Sequence, residues 1–295
     1  MLGRYKGLAA LIATSGTALG LLAISPATSA DAASHWKTHV CHGTNTHPGE
    51  LTGLNWDVIV RGLCLLNSGP VAVAHNVIIT RNSALIAVYG RHNSRLSVSG
   101  DILVHRGGTL LLGCEPRYFT CLDDPRPKHP TLASHDTVGG SLIASDALGV
   151  VVHNSWFGHD IVEVGGGGGL NCKPAGPFAH AHSPVYSDYE DNWIGGSLWV
   201  KHLTSCWLGV IRNWIGGSAT VSRNAMADPD AMEVVTNVVL RDLTCYRNRP
   251  KAQFGDSHGK PNRVGLHAFF QCGFHRLVAN PRGSHHFEHI SVHLH

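Results

Sequence analysis

Short runs in which apolar and polar residues alternate recur along this chain. Ser197-Leu198-Trp199-Val200 is one, and Leu208-Gly209-Val210-Ile211 and Met232-Glu233-Val234-Val235 are others. A period of two residues marks a strand with one buried face. Glycine pairs and polar residues between the runs mark corners. No stretch sustains a capped 3.6-residue repeat, so helices are not expected.

The runs also repeat as a unit. "NWIGGSLWV" begins at Asn192 and "NWIGGSATV" at Asn213. "DTVGGSLIA" at Asp136, "SWFGHDIVE" at Ser155, "NVVLRDLTC" at Asn237 and "NRVGLHAFF" at Asn262 keep the same apolar positions, and "SVSGDILVH" at Ser97 is a looser copy. The later copies are 21, 24 and 25 residues apart, Asp136 and Ser155 are 19 apart, and the 37 residues from Ser155 to Asn192 hold an insertion. Strands, tight corners and a period of 19 to 25 residues predict an all-β, single-domain parallel β-helix, right-handed by the general rule for parallel crossovers. Asn192, Asn213, Asn237 and Asn262 should share one corner, where stacked amides donate and accept along the column. The helix is expected over residues 65–275, with an N-terminal cap at 31–64 because those residues fit the repeat poorly. A His-rich tail, 276–295, should follow.

Residues 1–30 read as a secretory signal peptide: Arg4 and Lys6, an apolar run from Leu8 to Ile24, then "SPATSA". No other apolar run is long enough to span a bilayer, so a secreted, extracellular protein without a membrane partner is expected. Losing Arg4 and Lys6 leaves 21 basic residues against 20 acidic ones, a net charge of +1. That balance does not resemble the basic field of a nucleic-acid binder, and no nucleic-acid partner is expected. The 22 histidines offer a surface that would attract acidic glycans as the surroundings acidify. Eight cysteines after a signal peptide imply disulfides, and no CxxC pair favours zinc. In a solenoid, where neighbouring coils touch, sequential pairing is expected: 41–64, 114–121, 172–206 and 245–272.

Three segments depart from the repeat. Residues 165–191 contain "GGGGG" and return on a strand carrying Tyr186, Asp188 and Glu190 on one side. Residues 222–234, "SRNAMADPDAMEV", hold the turn Asp228-Pro229-Asp230, and residues 246–262 hold Arg247, Arg249, Lys251 and Lys260 with His258 as a fifth basic side chain. Aligning coils by their Asn corners sets Tyr186 over Trp207 and Asp188 over Gly209 and Glu233. It sets Lys201 beside Ser222 and His202 beside Arg223. All of these are expected on one face spanning three coils.

The motifs "GCEPRYFTCLDDP", "YSDYEDNWIGG" and "SRNAMADPDAMEV" resemble those of a group of secreted actinobacterial parallel β-helix proteins without an assigned activity. The resemblance covers about Val40 to His275 and implies export and the β-helix fold. More distantly the architecture is similar to β-helix polysaccharide lyases such as pectate lyases, whose sequence motifs this chain lacks. That likeness implies a polymer substrate at the level of the fold only.

The leading expectation is therefore a polysaccharide lyase that cleaves an acidic, uronate-containing polysaccharide, such as a glycosaminoglycan or pectin-like chain, by β-elimination. Tyr186, Tyr189 and His202 are candidate acid or base residues. Lys201, Trp207 and Arg223 are candidate substrate contacts, the cations neutralising a uronate and the indole stacking on sugar. Asp188, Asp228, Asp230 and Glu233 could hold Ca²⁺, an oxygen-preferring ion. Two alternatives stay open: a glycoside hydrolase using a carboxylate pair such as Asp188 and Glu233, and a noncatalytic glycan- or wall-binding solenoid.

Overall fold

A computed structural model describes residues 36–255 and 259–273. These form a parallel β-helix of three faces. The first face runs through Leu142–Ser145, Ile161–Val164, Leu198–Lys201, Ala219–Ser222 and Leu243–Tyr246. The second runs through Thr109–Leu112, Gly149–His153, Tyr186–Glu190, Trp207–Ile211 and Met232–Val235. The third holds the two-residue rungs Trp156–Phe157, Trp193–Ile194, Trp214–Ile215 and Val238–Val239. Strands pair in parallel within each face. Their register follows the repeat: Tyr186 pairs with Trp207, Asp188 with Gly209, Gly209 with Glu233, and Lys201 with Ser222.

Alternation decides what fills the lumen. On the first face Leu198, Val200, Ala219 and Val221 point inward, and on the second Val150, Val152, Leu208 and Val210 do, all fully buried or nearly so. Each fully buried Val, Leu or Ile contributes roughly 1.5–3 kcal/mol. One column breaks the rule. Glu163 pairs with Ala144 and Val200 and is buried in the lumen.

The corners explain the repeated phrase. Asn192 Nδ2 donates to Asn213 Oδ1 at 3.0 Å, Asn213 to Asn237 at 3.0 Å, and Asn237 to Asn262 at 2.9 Å. Each amide also donates to a carbonyl of the coil above, as Asn213 does to Tyr189 O at 2.7 Å. A second ladder at another corner joins Asn224 to Asn248 at 3.1 Å. The second ladder was not expected, since its members lie outside the repeated nine-residue phrase.

Coils begin earlier than the repeat suggests. His39–Gly43 already pairs in parallel with the start of Val58–Leu65, so residues 39–64 form rungs where a cap was expected. Their strands include the short Gly49–Glu50 and Gly53–Asn55 and carry no repeated Asn phrase, which hides them from a search by pattern. Disulfides join Cys41 to Cys64, Cys114 to Cys121, Cys172 to Cys206 and Cys245 to Cys272, the sequential order expected. They fit an oxidising compartment. Among the described residues no helix is long and apolar enough to cross a membrane. The expected signal segment, 1–30, and the tail, 276–295, lie outside the described residues.

Two excursions leave the coils and lie over the outside of the second face. Residues 113–135 bring Phe119 and the Cys114–Cys121 bridge there, and residues 165–185 bring Phe178 and Val185. The five glycines are not a slack tether. Gly165 through Gly169 all take positive φ, from 72° to 94°, a region costly for other residues. Alternate amides bond neighbouring coils, Gly167 to Ala147 O and Gly169 to Thr204 O.

Candidate functional site

The outward side of the second face carries the densest chemistry. Gly149–His153 and Tyr186–Glu190 are adjacent, so His153 lies level with Glu190, and Asp188 two residues before it. His153 Nε2 approaches Asp188 Oδ2 to 3.0 Å, and His153 Nδ1 lies 4.0 Å from Glu190 Oε2 and 3.9 Å from Glu115 Oε1. Phe119 stacks on the imidazole with centroids 4.3 Å apart. Arg212, one coil on, forms ion pairs with Glu190 and Asp191, and its guanidinium lies 3.5 Å over the Tyr118 ring. The 113–121 segment thus closes over a cluster of charged side chains.

Burial and charge act against each other here. Burial alone would lower the His153 pKa, but the charge of Asp188 and the contacts with Asp188, Glu115 and Glu190 lift it to about 10. Burial and the Asp188 charge push Glu190 up to about 8, against the pull of His153 and Arg212. Burial raises Asp191 to about 6 despite its hydrogen bond to Arg212.

A different surface holds free cations. Arg223, Arg247, Arg249 and Lys251 line a cleft of about 810 Å³ together with Asn224, Asn248 and Gln271. Lys201, His202, Arg223, Tyr246 and Phe270 line a second of about 390 Å³. Arg223 belongs to both, and neither wall includes a carboxylate. His202, Arg223 and Arg247 occupy equivalent corners of successive coils, with φ of 59°, 59° and 55°. That conformation turns each side chain outward just before the second Asn ladder. Among the described residues none of these cations forms an ion pair with an acidic group.

The expected site divides between these two surfaces. Tyr186, Asp188, Trp207 and Glu233 lie on the outer second face, whereas Lys201, His202 and Arg223 line the basic clefts. Tyr186 is covered by Phe178 and Trp207. Burial and the charges of Asp188 and Glu190 raise its hydroxyl far above the usual tyrosine range. Trp207 is half-buried and donates to Glu233 Oε1 at 3.3 Å. A Cβ on Gly209 would sit 2.3 Å from both Asp188 Oδ1 and the Trp207 ring, so a larger residue there would clash with both.

Tyr189 differs most from expectation. It points into the lumen, fully buried, and donates to Glu163 Oε2 at 2.8 Å, so it cannot touch a polymer outside. The four carboxylates expected to hold Ca²⁺ do not converge. Asp188 and Glu233 are two coils apart with Gly209 between them, and Asp228 Oδ1 accepts from the Asp230 amide within its own turn. Among the described residues the one convergence of three metal-ligating groups is His153, Asp188 and Glu190. The Asn register could have found it, since Ser155 occupies the Asn192 corner and sets His153 opposite Glu190. Arg247, Arg249, Lys251 and Tyr246 were also missed as site residues, although the 246–262 segment stood out as basic.

Trp156, Trp193 and Trp214 stack outside the third face, with centroids 5.1 and 4.8 Å apart and planes within 7° and 4°. At that spacing the indoles cover each other's faces. Sugar stacking needs a free ring face, and the stack covers both faces of Trp193 and one each of Trp156 and Trp214.

No family model, curated protein or solved structure matches this chain. The chain is a parallel β-helix with a basic groove on one surface and a buried ionic cluster under another.

Proposed function

We propose that this is a secreted protein that binds an acidic polysaccharide in the paired clefts around Arg223 and cleaves it by β-elimination. The observation that carries the reading is the run of Lys201, Arg223, Arg247, Arg249 and Lys251 along clefts whose walls include no carboxylate. Cations without acidic partners among the described residues, set across successive coils, match a repeating anion better than a single small one. A uronate carboxylate would lie between Lys201 and Arg223, which withdraw charge from it and acidify the adjacent C5–H. The imidazole of His202 then takes the C5 proton, the C4–O bond breaks, and a C4–C5 double bond forms. The departing oxygen takes a proton from the Tyr246 hydroxyl or from water. Tyr186 and Tyr189, buried elsewhere, have no part in this step.

One observation favours a noncatalytic binder instead: no hydrogen bond within the described residues orients the exposed His202 ring. A general base is ordinarily held in line with its proton. The hydrolase alternative has less support, since Asp188 and Glu233 are both buried and line neither cleft.

Product chemistry separates the three. Mature protein should be screened against uronate polymers while near-ultraviolet absorbance and reducing ends are followed together. The expected result is an absorbing unsaturated product, with His202→Ala lowering turnover at least tenfold, or about 1.4 kcal/mol, while retaining the fold. Reducing ends without absorbance would mean hydrolysis. Saturable binding with neither product would leave the groove and remove the chemistry.

A further inference from the structure

We propose that His153, Asp188 and Glu190 bind one divalent first-row transition-metal cation, which pins the 113–121 segment onto the second face. The proposal is independent of the glycan reading, because none of these residues lines the basic clefts. Three ligand atoms, one from each residue, lie within 4.8 Å of one another. Neighbouring strands present them side by side, so the fold delivers the set without any loop having to search for it.

A group of acids on a surface would be ordinary. This group is not on a surface: His153 is 2% exposed and Asp188 5%. Four of its polar atoms lack a hydrogen-bond partner, namely both ring nitrogens of His153, Asp188 Oδ1 and Glu115 Oε1. The 3.0 Å approach of His153 Nε2 to Asp188 Oδ2 is a charge contact that leaves Asp188 Oδ1 unpaired. A buried polar atom left unpaired costs about 1–3 kcal/mol. One cation accepting lone pairs from several of them removes that cost at several atoms together.

The surroundings point the same way. Glu115, Asp188 and Glu190 gather around His153, while Arg212 pairs with Glu190 and Asp191, so carboxylates outnumber the basic groups beside them. The donor set also selects the ion. Ca²⁺ takes six to eight oxygens, whereas one imidazole with two carboxylates suits Mn²⁺ or Zn²⁺. Metal–ligand bonds of about 2.0–2.2 Å require a small contraction of the present spacing. One ring nitrogen would ligate, and the other would turn its hydrogen toward a carboxylate, as metal-bound imidazoles commonly do. Because Glu115 and Phe119 both touch His153, fixing that ring fixes the segment above it.

The test uses mature full-length protein stripped with EDTA and then given Mn²⁺ or, separately, Zn²⁺. Bound metal is measured after desalting, free Mn²⁺ by electron paramagnetic resonance, and Tm with and without each ion. A His-rich C-terminus can hold zinc adventitiously, so the reading is the difference between wild type and Asp188→Asn, which keeps side-chain shape. The wild type should hold one more equivalent than Asp188→Asn and gain Tm with metal, and the variant should not gain. Equal metal content and equal Tm shifts in the two proteins would overturn the proposal and leave an imidazolium–carboxylate lock. Should Asp188→Asn fail to fold, the wild type decides alone: an undiminished free-Mn²⁺ signal with no Tm response to either ion also overturns it.

Discussion

Glu163 shows how one residue can disobey the pattern of its column and still be satisfied. Its neighbours along the ladder are Ala144 and Val200, yet its carboxylate accepts from Ser187 Oγ at 2.9 Å and from Tyr189 Oη at 2.8 Å. Burial pushes the carboxyl up to about 7 despite those two donors. The folded protein therefore holds this proton more tightly than the unfolded chain, where the value is near 4.5. The stabilisation is complete below pH 4.5 and is lost as pH rises through 7, an effect of roughly 3 kcal/mol. Glu163→Gln should flatten that part of the stability curve. Urea unfolding of both proteins between pH 4 and 8 tests it, and parallel curves would show that this carboxyl is not the source. The position of Tyr189 was legible in the sequence. Alternation puts it opposite Tyr186, Asp188 and Glu190, hence inside. That Glu163 lies inward was less so, because an acidic residue normally overrules an inward parity.

Among the elements, the corners came through the sequence most clearly and the excursions least. Asn192, Asn213, Asn237 and Asn262 announce themselves by repetition, because every coil needs the same amide at the same place. The 113–121 segment has no period. Its contact with His153 depends on a disulfide, on Phe119 and on Asp124, whose carboxylate accepts from the amides of Arg126, Thr131 and Leu132. Nothing local in the sequence says which face such a loop will cover. The ladder itself can be broken at one point. Asn213 Oδ1 accepts from the Asn192 amide and side chain, and its Nδ2 serves Tyr189 O and Asn237. Asn213→Ala leaves several buried groups unpaired and should cost about 2–4 kcal/mol in urea unfolding. Ser218→Ala, at a partly exposed corner nearby, should cost much less. Equal losses would mean that the amide column is not a source of stability.

At the scale of the whole molecule, the near balance of charge hides a strong local asymmetry. Acidic groups gather under the 113–121 segment, where Arg212 and His153 face four carboxylates, while the cations of the Arg223 clefts have no acidic partner among the described residues. Sequence composition gives only the total, +3 for the full chain, and so could exclude a uniformly basic surface but not a basic groove. The register made part of the groove visible, by setting Lys201 beside Ser222 and His202 beside Arg223. Its extension through Arg247 and Arg249 depended on the second Asn ladder. If the groove acts through summed charge, its affinity for a polyuronate should fall steeply with salt, because exposed charges are screened within about 8–10 Å at physiological ionic strength. Arg223→Ala combined with Arg247→Ala should weaken binding at least tenfold in low salt, or about 1.4 kcal/mol, and by much less in high salt. Both residues are exposed corner positions, so the fold should survive. A neutral polymer of similar length, run in parallel by calorimetry, should bind weakly to both proteins and show little salt dependence. If the double variant keeps wild-type affinity for the polyuronate, or if the neutral polymer binds equally well, the groove is not an anion site and the polysaccharide reading loses its support.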